Sequence, residues 1–204
     1  MERNLSLKEN EKKQLLQIAR QSITCCFSEE LPLPESIAAC KSGLYSRYAH
    51  LDIPVLHLPL ACFVTLNRKA DGELRGCIGN LEAAEGETLL ENLISNSISA
   101  AFYDSRFKPL EPEELPQVSI EISILSQPQP IRFSTKEELF AQVRQKGVIL
   151  RYGYHRATFL PQVWEKLPDP ELFLRHLATK AGLPAAVFEE AEYAVYTVES
   201  FEED

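Results

Sequence analysis

The sequence predicts an α+β fold, a largely antiparallel sheet with packed helices, and three observations carry that expectation. Strand-like runs are joined by tight turn signals, at Asp71-Gly72 within 61–80 and at Gly153 within 148–160. Val118, Ile120, Ile122 and Ile124 alternate with Ser119, Glu121 and Ser123, a period-two strand with one polar face. Helix-capping signals separate these runs without the regular strand–helix alternation of a doubly wound parallel sheet.

Element by element, Ser6-x-x-Glu9 is a capping box, and Leu15, Leu16, Ala19, Ile23, Cys26 and Phe27 follow at helical spacing. That predicts a helix over 7–27 with one buried face. Pro32 and Pro34 are expected to end it, and 35–60 reads as loop with one short helix. Cys62–Leu66 and Leu74–Ile78 form the first expected hairpin, across Asp71-Gly72. Thr88-x-x-Glu91 caps a second helix with Leu89, Leu90, Leu93, Ile94, Ile98 and Ala101 toward its buried face, and 103–116 is irregular and Pro-rich. Ser134-x-x-Glu137 starts a third helix that Gly147 stops. Val148–Tyr152 and Ala157–Leu160 form the second hairpin. Asp169 as N-cap and Pro170 at the first helical position open a helix that Gly182 closes. Tyr193–Ser200 is the final expected strand.

The composition narrows the function classes. Hydrophobic residues make up 45% of the 204 and charged residues 25%, as in an ordinary folded protein. The net charge of -9 repels phosphate backbones, and Arg144/Lys146 and Arg151/Arg156 are too sparse for a basic stripe, so no nucleic-acid partner is expected. Met1–Asn10 is polar with no apolar signal core, and no run reaches the roughly 18–20 apolar residues of a membrane span, so no membrane partner and a cytoplasmic location are expected. Cys25, Cys26, Cys40, Cys62 and Cys77 show no Cys-x-x-Cys spacing and read as reduced core thiols. His50, His57, His155 and His176 show no metal-ligand spacing, so neither a metal nor a cofactor is expected. Gly76-Cys77-Ile78-Gly79 lacks the spacing of a phosphate-binding glycine loop.

Leu74-Arg75-Gly76-Cys77-Ile78-Gly79-Asn80 is the most unusual segment, with two glycines bracketing a cysteine where glycine weakens a ladder. Such glycines permit close approach of another backbone or a ligand. Arg75 and Cys77 share a face of their strand, and a guanidinium beside a thiol favours the thiolate, which makes Cys77 a candidate nucleophile. The competing reading is a bulge with a buried thiol and Arg75 paired to a carboxylate. Asp104 and Arg106, just past a helix end among aromatics, are either a ligand-binding rim or ties for an irregular loop. Glu121, on the polar face of its strand, is a candidate base or a partner for Arg75, or the solvated side of a half-exposed sheet. His155 sits in a turn, where it titrates near neutrality or stands idle, and Trp164 beside Pro161 reads as packing.

Taken in order, Cys62–Leu66, Gly72–Gly79, Ala100–Leu110, Val118–Leu125, Ala157–Trp164 and Lys180–Leu183 resemble the AMMECR domain family of the AmmeMemoRadiSam system. Leu74–Gly79 is the family's hallmark, and the resemblance runs from about Ala61 to about Glu199. The chain departs from the pattern around Gly147–His155, where the family more often has an extra Gly or Asp in the turn, so no role is carried to His155. The resemblance implies two unequal lobes with a cleft between them, the larger from the N- and C-terminal parts and the smaller from the middle, about 80–116. It implies no established activity. It does imply partners, a Memo-type protein (dioxygenase-like in fold) and a radical SAM protein. The iron–sulfur chemistry would be the partner's, because this chain lacks the cysteine triad.

Two functions follow as expectations. One is an enzyme or substrate-presenting subunit, in which Arg75 with Gly76, Gly79, Asp104 and Arg106 binds a small-molecule or peptide-like substrate, and Cys77 and Glu121 do the chemistry. The other is a non-catalytic binding or scaffold protein of the same pathway.

Overall fold

The computed structural model describes residues 7–27 and 32–203. Ser6 of the first expected capping box lies outside them. Helix α1 (Glu9–Thr24) begins beyond it, and the Lys8 backbone N–H donates to Glu11 Oε2 at 2.8 Å, which meets one of the four donors a helix start leaves open. Leu15, Ile18, Ala19 and Ile23 form its buried stripe. No helix among the described residues is long and apolar enough to cross a membrane.

Two compact units divide the chain, Met1–Leu125 with Glu199–Asp204, and Ser126–Val198. In the first, strands β1 (Ala61–Arg68), β2 (Leu74–Gly79), β3 (Val118–Leu125) and β8 (Val198–Glu202) form a sheet in the order β2-β1-β3-β8. β1 pairs antiparallel with both β2 and β3. The expected hairpin at Asp71-Gly72 is present, with Gly72 at φ 72° where a side chain would be strained. Val64, Leu66, Ile120, Ile122 and Ile124 bury one face of the sheet in a core shared with α1, α2 (Leu33–Tyr48) and α3 (Leu89–Phe102). Thr88 caps α3 as expected, accepting from the Glu91 N–H while Glu91 accepts the Thr88 N–H at 2.7 Å.

The smaller unit holds a second antiparallel sheet in the order β4-β7-β5-β6, from β4 (Gln129–Ile131), β5 (Gly147–Tyr152), β6 (His155–Phe159) and β7 (Glu192–Tyr196). Its core joins Val148, Leu150 and Val195 to Leu139 and Val143 of α4 (Lys136–Val143) and to Phe173, Leu174 and Leu177 of α6 (Pro170–Lys180). Trp164 of the short α5 (Val163–Lys166) stacks on Phe173 at 3.9 Å between centroids and donates its indole N–H to Lys146 O, so it packs as expected.

Several expectations give way. Residues 33–48 form a full helix rather than a loop with one short helix, because Pro34 is tolerated in a first helical turn, where its missing N–H costs nothing. The N-cap of α4 is Thr135, one residue past Ser134, with Glu138 N–H donating to its hydroxyl. The final strand breaks at Thr197 into β7 and β8, one in each sheet. Residues 80–116 belong to the larger unit, since α3 within them is buried along most of its length. Cys25 and Cys40 are joined by a disulfide, where spacing pointed to reduced thiols, because α1 and α2 bring them together. Cys26, Cys62 and Cys77 are free.

Candidate functional site

The second face of the first sheet is polar, and strand register decides what meets there. Thr65 of β1 is paired with Cys77 on one side and with Glu121 on the other. Residues paired across adjacent strands project from the same face, so Cys77, Thr65 and Glu121 form one row across three strands. All three are half-buried. The Thr65 hydroxyl donates to Cys77 Sγ at 3.3 Å, and Ser123 donates to Glu121 Oε1 at 3.4 Å. With neighbouring strands about 4.8 Å apart, the Cys77 and Glu121 backbones stand about 10 Å from each other.

Cys77 is held from below by the segment after α3. Its backbone N–H donates to Asp104 Oδ2 at 2.8 Å, and its carbonyl accepts from Arg106 Nη2 at 3.3 Å. Asp104 also accepts the Arg106 backbone N–H and two guanidinium hydrogen bonds, at 2.9 and 2.6 Å. The side chain of Asp104 is only 5% exposed, and the Arg106 hydrogen bonds hold its carboxyl well below the usual carboxylate range. Asp104 is therefore a permanent acceptor that fixes the Cys77 backbone. It ties down the loop, as one of its two readings had it, and does so at the candidate cysteine.

Arg75 falls at an irregularity of the ladder, between Gly76 paired with Leu66 and Leu74 paired with Asn67, so the regular alternation that would put it on the face of Cys77 is broken. Its guanidinium turns to Glu114, with Nε–Oε1 and Nη2–Oε2 both at 2.9 Å, and to the Lys108 carbonyl. That pair holds Glu114 below the ordinary carboxylate range. The cation held against the Cys77 backbone is Arg106, whose own pKa is raised first by its Asp104 hydrogen bonds. Phe107 lies under both guanidiniums, 5.8 Å from Arg75 and 5.5 Å from Arg106. Arg75 Nη1 is buried and without a hydrogen-bond partner among the described residues.

The two glycines have packing reasons. A Cβ on Gly76 would run into the Ala100 carbonyl oxygen, so its absence lets β2 sit against the backbone of α3. A Cβ on Gly79 would meet the Phe63 ring, which covers it from the paired position of β1. Ile78 packs on the core as its even number requires, whereas Leu74 at the strand start is exposed. His155 stands in the other unit and donates its Nδ1–H to the Ala181 carbonyl at 2.8 Å, closing the end of α6.

Two residues escaped the sequence reading. Thr65 carried only a partial signal, since its pairing with Cys77 depends on the one-residue register shift between Leu66 and Asn67. Glu114 carried no signal, because its partner reaches it from a distant strand.

Protein MJ0810 of Methanocaldococcus jannaschii is 38% identical over 151 residues, covering 70% of this chain and 72% of that protein. A protein of Methanosarcina mazei is 33% identical over 201 residues, covering 97% and 94%. The crystal structure of the uncharacterized protein PH0010 from Pyrococcus horikoshii is similar with a TM-score of 0.69 at 28% identity, covering 97% of this chain and 94% of that one. The AMMECR1 family model matches residues 16–201, and the chain belongs to that family.

Proposed function

We propose that the polar sheet face around Cys77 is the working site of an enzyme or substrate-presenting subunit that takes a small anionic or peptide-like substrate and acts with Memo-type and radical SAM proteins. The support given to Cys77 carries this reading. Its N–H, its carbonyl and its sulfur are each engaged by a different side chain, Asp104, Arg106 and Thr65. A structural cysteine behaves as a small hydrophobe and needs none of these. In this role Cys77 is the nucleophile: its thiol proton passes to water, its sulfur adds to a carbonyl carbon, and the pair of the broken C=O π bond moves to the oxygen, which takes a proton back from water. The Arg75 and Arg106 guanidiniums are already neutralised by carboxylates, which favours the carbonyl of a peptide-like substrate over a full anion.

One observation favours the non-catalytic reading. The hydrogen bond to Cys77 Sγ comes from a hydroxyl and not from a base. Reconstitution with the two partner proteins separates the readings. A Cys77→Ser variant that abolishes product formation while still co-eluting with the partners supports the first. Unchanged product formation with Cys77→Ser supports the scaffold.

A further inference from the structure

The fold assembles three thiols that no sequence spacing joins. Cys25 is the C-cap residue of α1, Cys26 follows it, and Cys40 lies on α2. Their Sγ atoms all lie within 4.8 Å of one another. All three sulfurs surround one carbonyl oxygen, that of Ser22, at 3.6 Å from Cys25, 3.3 Å from Cys26 and 3.7 Å from Cys40, and the free thiol of Cys26 donates to it. Cys26 and Cys40 are 2% and 8% exposed, while Cys25 opens to the surface.

We propose that the reduced Cys25–Cys26–Cys40 cluster is a binding site for a thiophilic d10 cation, zinc or copper(I), and that the Cys25–Cys40 disulfide is its closed, metal-free form. Zinc–thiolate bonds of about 2.3 Å place the sulfurs of a tetrahedral site roughly 3.8 Å apart, within the 4.8 Å that already spans the three Sγ atoms, and the Cys25 and Cys40 Cα atoms stand 5.7 Å apart. Three sulfur ligands with no carboxylate or imidazole among them select soft cations over calcium, magnesium or manganese. Cys25 at the surface leaves the metal open on one side, where a trigonal copper(I) site needs nothing and zinc takes a fourth, external ligand.

The chemistry balances in two steps. An external dithiol reduces the Cys25–Cys40 bond, supplying two electrons and two protons and leaving as its own disulfide. The cation then displaces three thiol protons to form three metal–sulfur bonds. Oxidation withdraws two of the three ligands at once, so metal occupancy follows the redox state.

The full chain, reduced with a phosphine and desalted without oxygen, is titrated with zinc against a chromophoric chelator and with copper(I) against bathocuproine disulfonate. One equivalent retained by the reduced protein and none by the oxidised one is the expected result, with protons released on binding. Cys25→Ser alters a surface residue and should weaken binding by at least about 100-fold, the upper end of what losing even an outer-sphere partner costs. Cys62→Ser, remote from the cluster, should leave it unchanged. No retained metal in the reduced wild type, equal retention by the oxidised protein, or undiminished affinity in Cys25→Ser each overturns the proposal. The tighter of the two titrations identifies the cation.

Discussion

The Asp104 carboxylate accepts the backbone N–H of Cys77 at 2.8 Å, so a loop residue past a helix end fixes the backbone of a residue in the middle of a strand. β2 is an edge strand, and one of its outward N–H groups would otherwise lack a ladder partner. Asp104→Ala leaves that donor unsatisfied and takes the carboxylate partner from Arg106, which keeps the Cys77 carbonyl and solvent. The expected loss is about 2 kcal/mol, the usual cost of stranding a buried donor. Urea denaturation of the variant reads it directly, and an unchanged midpoint would show that water replaces the carboxylate at no cost.

Acid should weaken the same unit. Asp104 and Glu114 both have folded pKa values held down by arginine hydrogen bonds. A depressed carboxylate contributes stability that is fully present above its unfolded pKa, near 4, and is lost as pH falls through the folded value. Denaturation midpoints should therefore carry the full contribution of these two groups near neutrality, where it does not vary with pH, and decline below about pH 4. Asp104→Asn should flatten that decline. A variant whose acid slope matches the wild type would remove Asp104 from the linkage.

Gly76 and Gly43 make a matched pair of opposite sign. Gly76→Ala drives a methyl into the Ala100 carbonyl, a backbone atom that cannot rotate away. The expected loss is about 3 kcal/mol, the upper range for overpacking. Gly43 lies inside α2 with nothing within 4 Å of an added Cβ. Gly43→Ala should gain about 0.5–1 kcal/mol from helix propensity. Thermal melts of both variants test the pair, and a Gly76→Ala protein as stable as wild type would mean β2 and α3 separate freely.

What was legible in the sequence was local. The Asp71-Gly72 hairpin, the alternating β3, the Thr88–Glu91 box and the Asp169-Pro170 helix start each state their structure within a few residues. α2 was not legible, because Pro34 and Gly43 break the helical signal and its apolar residues gather only weakly on one side, while tertiary burial of Ile37, Cys40 and Leu44 supplies the missing stabilisation. The same gap hid the Arg75–Glu114 pair and the three-cysteine cluster. Both depend on elements that meet only in the folded chain. Strand alternation says nothing of where Arg75 goes, because the ladder is irregular at that residue and its long side chain reaches a carboxylate that no strand pattern announces.

The thiols themselves give the last prediction. Cys62 is fully buried and burial pushes its thiol up to about 12, while Cys26 is 2% exposed with its thiol raised to about 11. Only the thiolate alkylates, so both should resist reagent at neutral pH. Cys25 and Cys40 are withheld by their disulfide. Cys77 is the remaining free cysteine and is only partly buried. Iodoacetamide without reductant, followed by peptide mapping, should therefore label Cys77 ahead of Cys26 and Cys62. Thr65→Val keeps the shape beside the sulfur but removes its hydroxyl donor. A hydrogen bond worth about 1 kcal/mol limits the resulting slowdown to about fivefold. Label at Cys26 or Cys62 before Cys77 would end the case for a nucleophile on β2, and an unchanged rate in Thr65→Val would remove Thr65 from the site.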